Sequence, residues 1–177
     1  AYEQFKEQSD DFVVYFVCSD VEFSNYQKAV EGVQQAFADP QIGVYAPCAN
    51  ASSHKQMISG NGKGLREVIF VEGFCFAVRL GLLRQMCPVD LSVNKIGWGL
   101  DIFLGYLAIK NGQKSVVDYQ VEVFHPLPSG YDSNKAKEQR DKWFERKEKK
   151  ILFFKKWATF QPFNSNLGLW LMKFHIR

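Results

Sequence analysis

Six apolar residues, Phe12 to Val17, run without interruption into Cys18-Ser19-Asp20-Val21-Glu22. An unbroken apolar run bounded by polar residues predicts a strand buried on both faces, as at the centre of a parallel sheet. The period then changes. Ser24 and Gln27 make an S-x-x-Q capping box, and Tyr26, Ala29, Val30, Val33 and Phe37 fall on one helical face. Pro40 stops that helix, and Ile42 to Pro47 reads as a second short strand. This strand–helix–strand order predicts a βαβ unit in a parallel sheet.

A long polar loop follows from Cys48 to Arg66, with glycines at 60, 62 and 64. Loops of that length within a compact domain are usually functional or mobile. Neither G-x-G-x-x-G nor G-x-x-x-x-G-K-[ST] is present, so dinucleotide and phosphate-loop fingerprints are rejected. "REVIFVEGFCFAVRLGLLRQM" predicts strand, a break at Glu72-Gly73, strand, then a short helix around Leu82 to Met86. Beyond it, Gly97-Trp98-Gly99 turns into a helix carrying Ile102, Phe103, Tyr106, Leu107 and Ile109, ended at Asn111-Gly112. "SVVDYQVEVFHP" is a further strand, and a charged helix is expected from about Asn134 toward Trp157. No internal repeat is visible.

Composition narrows the class. With 46% hydrophobic and 15% aromatic residues in 177, the chain has material for one sizeable core. No apolar stretch approaches the roughly 20 residues of a membrane span, and no signal peptide precedes the first strand. Cys18, Cys48, Cys75 and Cys87 show no C-x-x-C spacing, which points to a reducing compartment rather than a disulfide framework or zinc knuckle. The net charge of +3 conceals an asymmetry. Lys135 to Arg177 holds twelve Lys/Arg against four Asp/Glu, a net of +8, whereas the preceding part is net −5. The two parts therefore suit different partners.

Three chemically capable groups fall at element ends: Asp20 after a strand, Asp101 at a helix start and His125 after another strand. Singly, each has an ordinary reading as a solvated strand exit, a helix-start cap or a packed histidine. Ligands of open α/β sheets bind beyond the carboxyl ends of strands, where acidic groups suit a cation or a substrate that carries one.

In order and context these groups resemble the family 2, GT-A-type glycosyltransferases. "VCSDVEFSNYQKAVEGVQQAFADPQIGVYAP" is similar to that family's block from the D-x-D strand to "DP-x-(I/V)-G". "VEGFCFAVRLGLLRQM", "WGLD" and "VEVFHP" resemble its later motifs, over roughly Asp11 to Pro126. The resemblance implies an α/β fold with a GT-A-like, mostly parallel sheet flanked by helices. Residues 1–130 would form a partial glycosyltransferase domain and 131–177 a basic, aromatic helical tail. It implies metal ligation by Asp20 and His125 with Mn²⁺ or Mg²⁺, and Asp101 as the base in inverting transfer. Donor and acceptor would be a nucleotide-sugar and a glycan or lipid-linked acceptor, with Glu22, Glu72, Gly73 and Trp98 binding substrate. Glu72 is the next candidate base. A helix N-terminus would favour an ionised Asp101.

Three departures stand out. Cys18 occupies the first D-x-D position, and Leu100 replaces the first acid of the family's E-D pair. Only eleven residues precede the metal strand, where the family has its nucleotide-binding half. The expectation is a carboxyl-terminal part, inactive alone, with an uncovered sheet edge or face that favours homo-oligomers. The rival reading is a non-catalytic membrane-surface or protein-interaction domain with a degenerate GT-A fold. Aspartyl-phosphate transfer ranks lower, since "SDVEF" lacks the paired nucleophile and acid.

For "DKWFERKEKKILFFKKWATFQPF" two readings stand together. It is a solvated helix packing its aromatic side on the domain, or an interfacial helix with cations toward anionic headgroups. "LGLWLMKF" would extend the contact. No nucleic-acid motif is found. The expected location is cytoplasmic, peripheral on the inner face of the membrane.

Overall fold

The computed structural model describes residues 2–126, 130–159 and 166–176. The start of the expected "LPSGYDSN" linker, 127–129, and the tail segment 160–165 lie outside the described residues. The order is α1 (Tyr2–Phe5), β1 (Val13–Val17), β2 (Glu22–Phe23), α2 (Tyr26–Phe37), β3 (Ile42–Ala49), a 3₁₀ turn (Lys55–Met57) and β4 (Leu65–Val68). It continues with β5 (Cys75–Arg79), α3 (Leu80–Met86), α4 (Leu100–Lys110), β6 (Lys114–Phe124), α5 (Ser133–Glu145), α6 (Lys149–Thr159) and α7 (Asn166–Ile176).

The sheet is not the mostly parallel one expected of a GT-A fold. Its order is β1-β5-β3-β6-β2, with β4 also on β6, and only β3–β6 pair in parallel. It is a mixed, mostly antiparallel sheet, strongly curled into a half-barrel. The βαβ expectation fails for a specific reason. β1 and β3 do run in the same direction, but β5 inserts between them and pairs antiparallel with both. β1 is thus an edge strand rather than a central one; only Val14 is buried, and Val17 is 42% exposed. An apolar run alone cannot separate a buried strand from an edge strand whose outer face is aromatic, as here with Phe16 stacked on Phe76 at 5.0 Å.

β3 is the true centre: all eight of its residues are buried. Its two faces meet different helices. Tyr45, with Ala77 and Val116 beside it, packs toward Val33 and Phe37 of α2. Val44, Ala46 and Cys48 face the main core with α3 and α4. The N-cap of α2 is Asn25, whose Oδ1 accepts from Lys28 N at 3.0 Å. Ser24 of the expected capping box instead donates to Glu122 O at 3.2 Å.

Arg79 closes this end of the molecule. Its guanidinium is buried and donates to Ile42 O (2.8 Å), Phe37 O (3.0 Å), Asp39 O (3.1 Å) and the Asp11 carboxylate (3.1 Å). One side chain therefore satisfies carbonyls that the end of α2 leaves open.

β6 shapes the half-barrel. Its first half pairs with β4 and its last two residues with β2, along the same edge. Between them its register against β3 jumps, Pro47 facing Asp118 but Cys48 facing Glu122. The extra residues bend the strand. Asp118, buried at the bend, accepts from Tyr45 Oη at 3.2 Å and from Gln120 N at 2.9 Å.

The basic tail folds as three helices, with a break at Arg146–Glu148 where a single charged helix was expected. Trp143, Phe144, Ile151, Phe154, Ala158, Leu169, Met172 and Ile176 join the same core as the sheet and α4. Helix α4 is accordingly apolar all round, with every residue from Ile102 to Ile109 buried.

Gly105 sets how closely α4 lies on the strand-to-strand connection beneath it. A methyl group there would sit 2.5 Å from Phe70 Cβ and 2.6 Å from Ile69 O. In an open helix Gly→Ala stabilises by about 1 kcal/mol. Here overpacking against backbone costs about 1–3 kcal/mol and should win. Gly105→Ala is therefore expected to lower the thermal midpoint; a raised midpoint would show that α4 has room to move away.

Candidate functional site

The turn at Glu72-Gly73-Phe74 holds the site together. It leads from the buried Val68–Val71 stretch into β5 and meets three other elements there. Cys18 N, just past β1, donates to Phe74 O at 2.8 Å. Phe74 stacks on the His125 ring at 4.3 Å and 9°. Gly73 lies against Asp101, since a methyl on Gly73 would come 3.5 Å from Asp101 Cβ. Asp20, His125, Glu72, Gly73 and Asp101 are thus brought to one end of the sheet.

On one side of this turn, His125 Nε2 lies 3.6 Å from Asp20 Oδ2. The His125 backbone N donates to Asn50 Oδ1 at 2.8 Å, and Phe74 fixes its ring plane. Its Nδ1 is buried without a hydrogen-bond partner. The imidazole is therefore held by packing, not by a second-shell acceptor of the kind that usually fixes a metal-ligating histidine. Glu22 is exposed, opposite Phe124 in the β2–β6 pair and so one residue from His125. It lines a shallow depression of about 310 Å³ with Phe23, Ser24, Asn50, Glu122 and Phe124.

Cys18 sits where a further carboxylate was missed. Burial, reinforced by the Asp20 charge, pushes its thiol up from the usual value, so it stays protonated at neutral pH. Among the described residues no group of three His, Cys, Asp or Glu side chains is placed to hold a metal. Asp20 and His125 offer two ligands, which suits a hard ion completed by substrate oxygens and water rather than a protein cage.

On the other side stands Asp101, in the first turn of α4. Gly99 precedes it at φ 84°, and a methyl there would strike Arg140 and Phe144, so the turn into the helix requires glycine. Removal from water raises the Asp101 pKa to about 6. Backbone amides of Ile102 (2.8 Å) and Gly73 pull it down, and the neighbouring Glu72 charge pushes it up again. The helix N-terminus thus does not leave Asp101 an ordinary ionised carboxylate: desolvation outweighs it. A carboxylate titrating near neutral pH is suited to accepting a proton.

Glu72 is positioned by residues that the sequence left unassigned. Ser52 Oγ and Ser53 Oγ donate to its two oxygens, the latter at 2.6 Å. Ser52 Oγ also accepts from His54 N at 2.9 Å, and His54 packs edge-on against Phe70 at 4.6 Å. Burial lowers the His54 pKa, against the pull of Glu72. The polar "ASSH" run within the long loop was the available signal.

Trp98 projects from the turn before α4 and donates Nε1–H to Tyr131 Oη, their rings edge-to-face at 5.8 Å. Asn94, fully buried, holds this turn through Trp98 O (2.9 Å) and Gly97 N (3.0 Å). Tyr131 is a second aromatic beside the site that periodicity did not single out.

The Asp101 shift has a sign that can be checked. Its folded pKa lies above the unfolded carboxylate value, so its stabilising contribution is present below about pH 4 and is lost as pH rises through about 6. Asp101→Asn should therefore stabilise the fold at pH 7.5 by on the order of 3 kcal/mol. The gain should vanish toward pH 4. Denaturant melts at the two pH values test this, and a pH-independent difference would refute it. Comparison of the chain with models of known protein families and with curated proteins finds no match.

Proposed function

We propose that this chain carries the base and the cation-side groups of an inverting glycosyl transfer from a nucleotide-sugar to a glycan or lipid-linked acceptor. The observation that carries the reading is Asp101: a half-buried carboxylate with its pKa raised to about 6, beside Glu72 and one turn of chain from the Asp20–His125 pair. The reading rests on these side chains and not on a parallel GT-A sheet, which the chain lacks.

In this reading the acceptor hydroxyl gives its proton to Asp101 while its oxygen bonds to the anomeric carbon. The bond from that carbon to the donor diphosphate breaks, and the nucleoside diphosphate leaves with the electron pair. A single displacement inverts the anomeric centre. Asp20 and His125 would hold Mn²⁺ or Mg²⁺, which would neutralise charge on the departing diphosphate. Phe74 keeps the His125 ring edge toward Asp20. Glu72 keeps negative charge beside the base and so holds its proton affinity up. Trp98 and Tyr131 offer ring faces and a hydroxyl beside the base, suited to a sugar.

One observation favours a binding role without turnover: the described residues supply only two cation ligands, with a protonated Cys18 beside them. Activity assays separate the two. Transfer should rise with pH through about 6, and Asp101→Asn should lower turnover by roughly two to four orders of magnitude. Donor affinity should change little. Full turnover in Asp101→Asn would remove the base from this residue and leave Glu72 to be tested in its place.

The cation side makes a separate expectation. Asp20→Ala should abolish Mn²⁺-dependent transfer and leave the thermal midpoint near wild type, because Asp20 is exposed. Metal-dependent activity that survives the change would place the ion elsewhere.

A further inference from the structure

The aromatic residues of the tail do not all turn inward. Ile151, Phe154 and Ala158 of α6, and Leu169, Met172 and Ile176 of α7, are buried in the core. A chain of rings runs outward from Phe153 and Trp157, half-buried against that core, to the exposed rings of α7. Trp157 lies 5.3 Å from Phe153, Phe153 lies 5.2 Å from His175, His175 lies 6.4 Å from Phe174, and Phe174 lies 6.0 Å from Trp170. Exposure grows along it, reaching 75% at Phe174 and 60% at Trp170. The start of α6 and the end of α7 are joined by Lys150 Nζ, which donates to Ile176 O at 3.4 Å.

Cations accompany these rings with no acidic residue in the segment itself, although Asp141 of α5 pairs with Lys155 at 2.7 Å. Lys149 to Arg177 contains six Lys/Arg and no Asp or Glu. Lys149, Lys150 and Lys156 are exposed on α6. Lys173 of α7 reaches Glu67 of β4 at 2.5 Å, which anchors the helix to the sheet. No described helix is long and apolar enough to cross a membrane.

We propose that this face of α6 and α7 docks on an anionic lipid bilayer, with the helices in the interfacial plane. Exposed Trp and Phe rings favour the headgroup boundary, and lysines beside them favour anionic lipid over neutral lipid. A second copy of the chain fits less well, because a two-fold contact through this face would set lysine against lysine. The core-facing residues already hold α6 and α7 on α4, so docking needs no unfolding of the tail. This surface is independent of the transfer reading: neither Asp101 nor Asp20 belongs to it.

Co-sedimentation of the full chain with phosphatidylcholine vesicles, alone or mixed with phosphatidylglycerol, is the test. Binding should require the mixed vesicles and weaken as salt is added. Lys149→Gln and Lys156→Gln should each lower affinity about fivefold, the worth of one lysine at an anionic surface. Trp170→Ser with Phe174→Ser should weaken binding further, with an unchanged thermal midpoint because both rings are exposed. Four results would overturn the proposal: equal binding to both vesicle types, no effect of the ring substitutions on binding, a ring-dependent dimer in solution without lipid, or tighter binding to duplex DNA than to mixed vesicles. A fall in the midpoint of the ring variant would also count against it, since it would place those rings in the core.

Discussion

The close approach of α4 to the Ile69–Phe70 backbone governs the rest of the structure. It exists because position 105 has no side chain to keep the two apart. With α4 seated there, its first turn comes up against Gly73, and the Asp101 carboxylate is carried out of bulk water. The same seating exposes the far side of α4 to α6 and α7, whose apolar residues complete the core. One missing methyl group thus links the depth of the candidate base to the attachment of the tail.

The curl of the sheet supplies the other half of the geometry. Beyond the bulge β6 still pairs with the end of β3, at Cys48–Glu122 and Ala49–Val123. The bend after Asp118 swings the end of β6 toward β2, which lies just beyond Asp20 in sequence. His125 and Asp20 are then neighbours although β1 and β6 are separated by two strands in the sheet. Phe74, stacked on His125 and accepting from Cys18 N, spans the remaining gap. Bulges commonly re-aim a side chain at the rim of a barrel, and this one faces the end of the sheet where the carboxylates collect.

Local signals in the sequence were largely legible, and long-range ones were not. Asn111-Gly112 does end α4, the break at Glu72-Gly73 does separate β4 from β5, and Ile42 opens the central strand. Periodicity reports such features because they depend on neighbours in sequence. It carries no information about β5 inserting between β1 and β3, which depends on partners about 60 residues apart. Hence the element order suggested a parallel sheet while the pairing is mostly antiparallel. The same division holds at the site. Asp20, Asp101 and His125 stand at element ends that sequence could locate. Ser52, Ser53, Asn50 and Tyr131 come from loops, whose positions are fixed only when the strands assemble.

The two carboxylates beside Gly73 differ in what surrounds them. Both oxygens of Glu72 accept from serine hydroxyls that belong to the loop after β3. Asp101 is instead bonded by backbone amides and enclosed by the packing of α4, and it feels the Glu72 charge as a repulsion. The serine loop therefore acts on Asp101 indirectly: by engaging Glu72, it fixes the charge that helps to raise the Asp101 pKa. Unlike surroundings are a common means of setting two neighbouring acids apart, and here they are built from one loop and one closely packed helix.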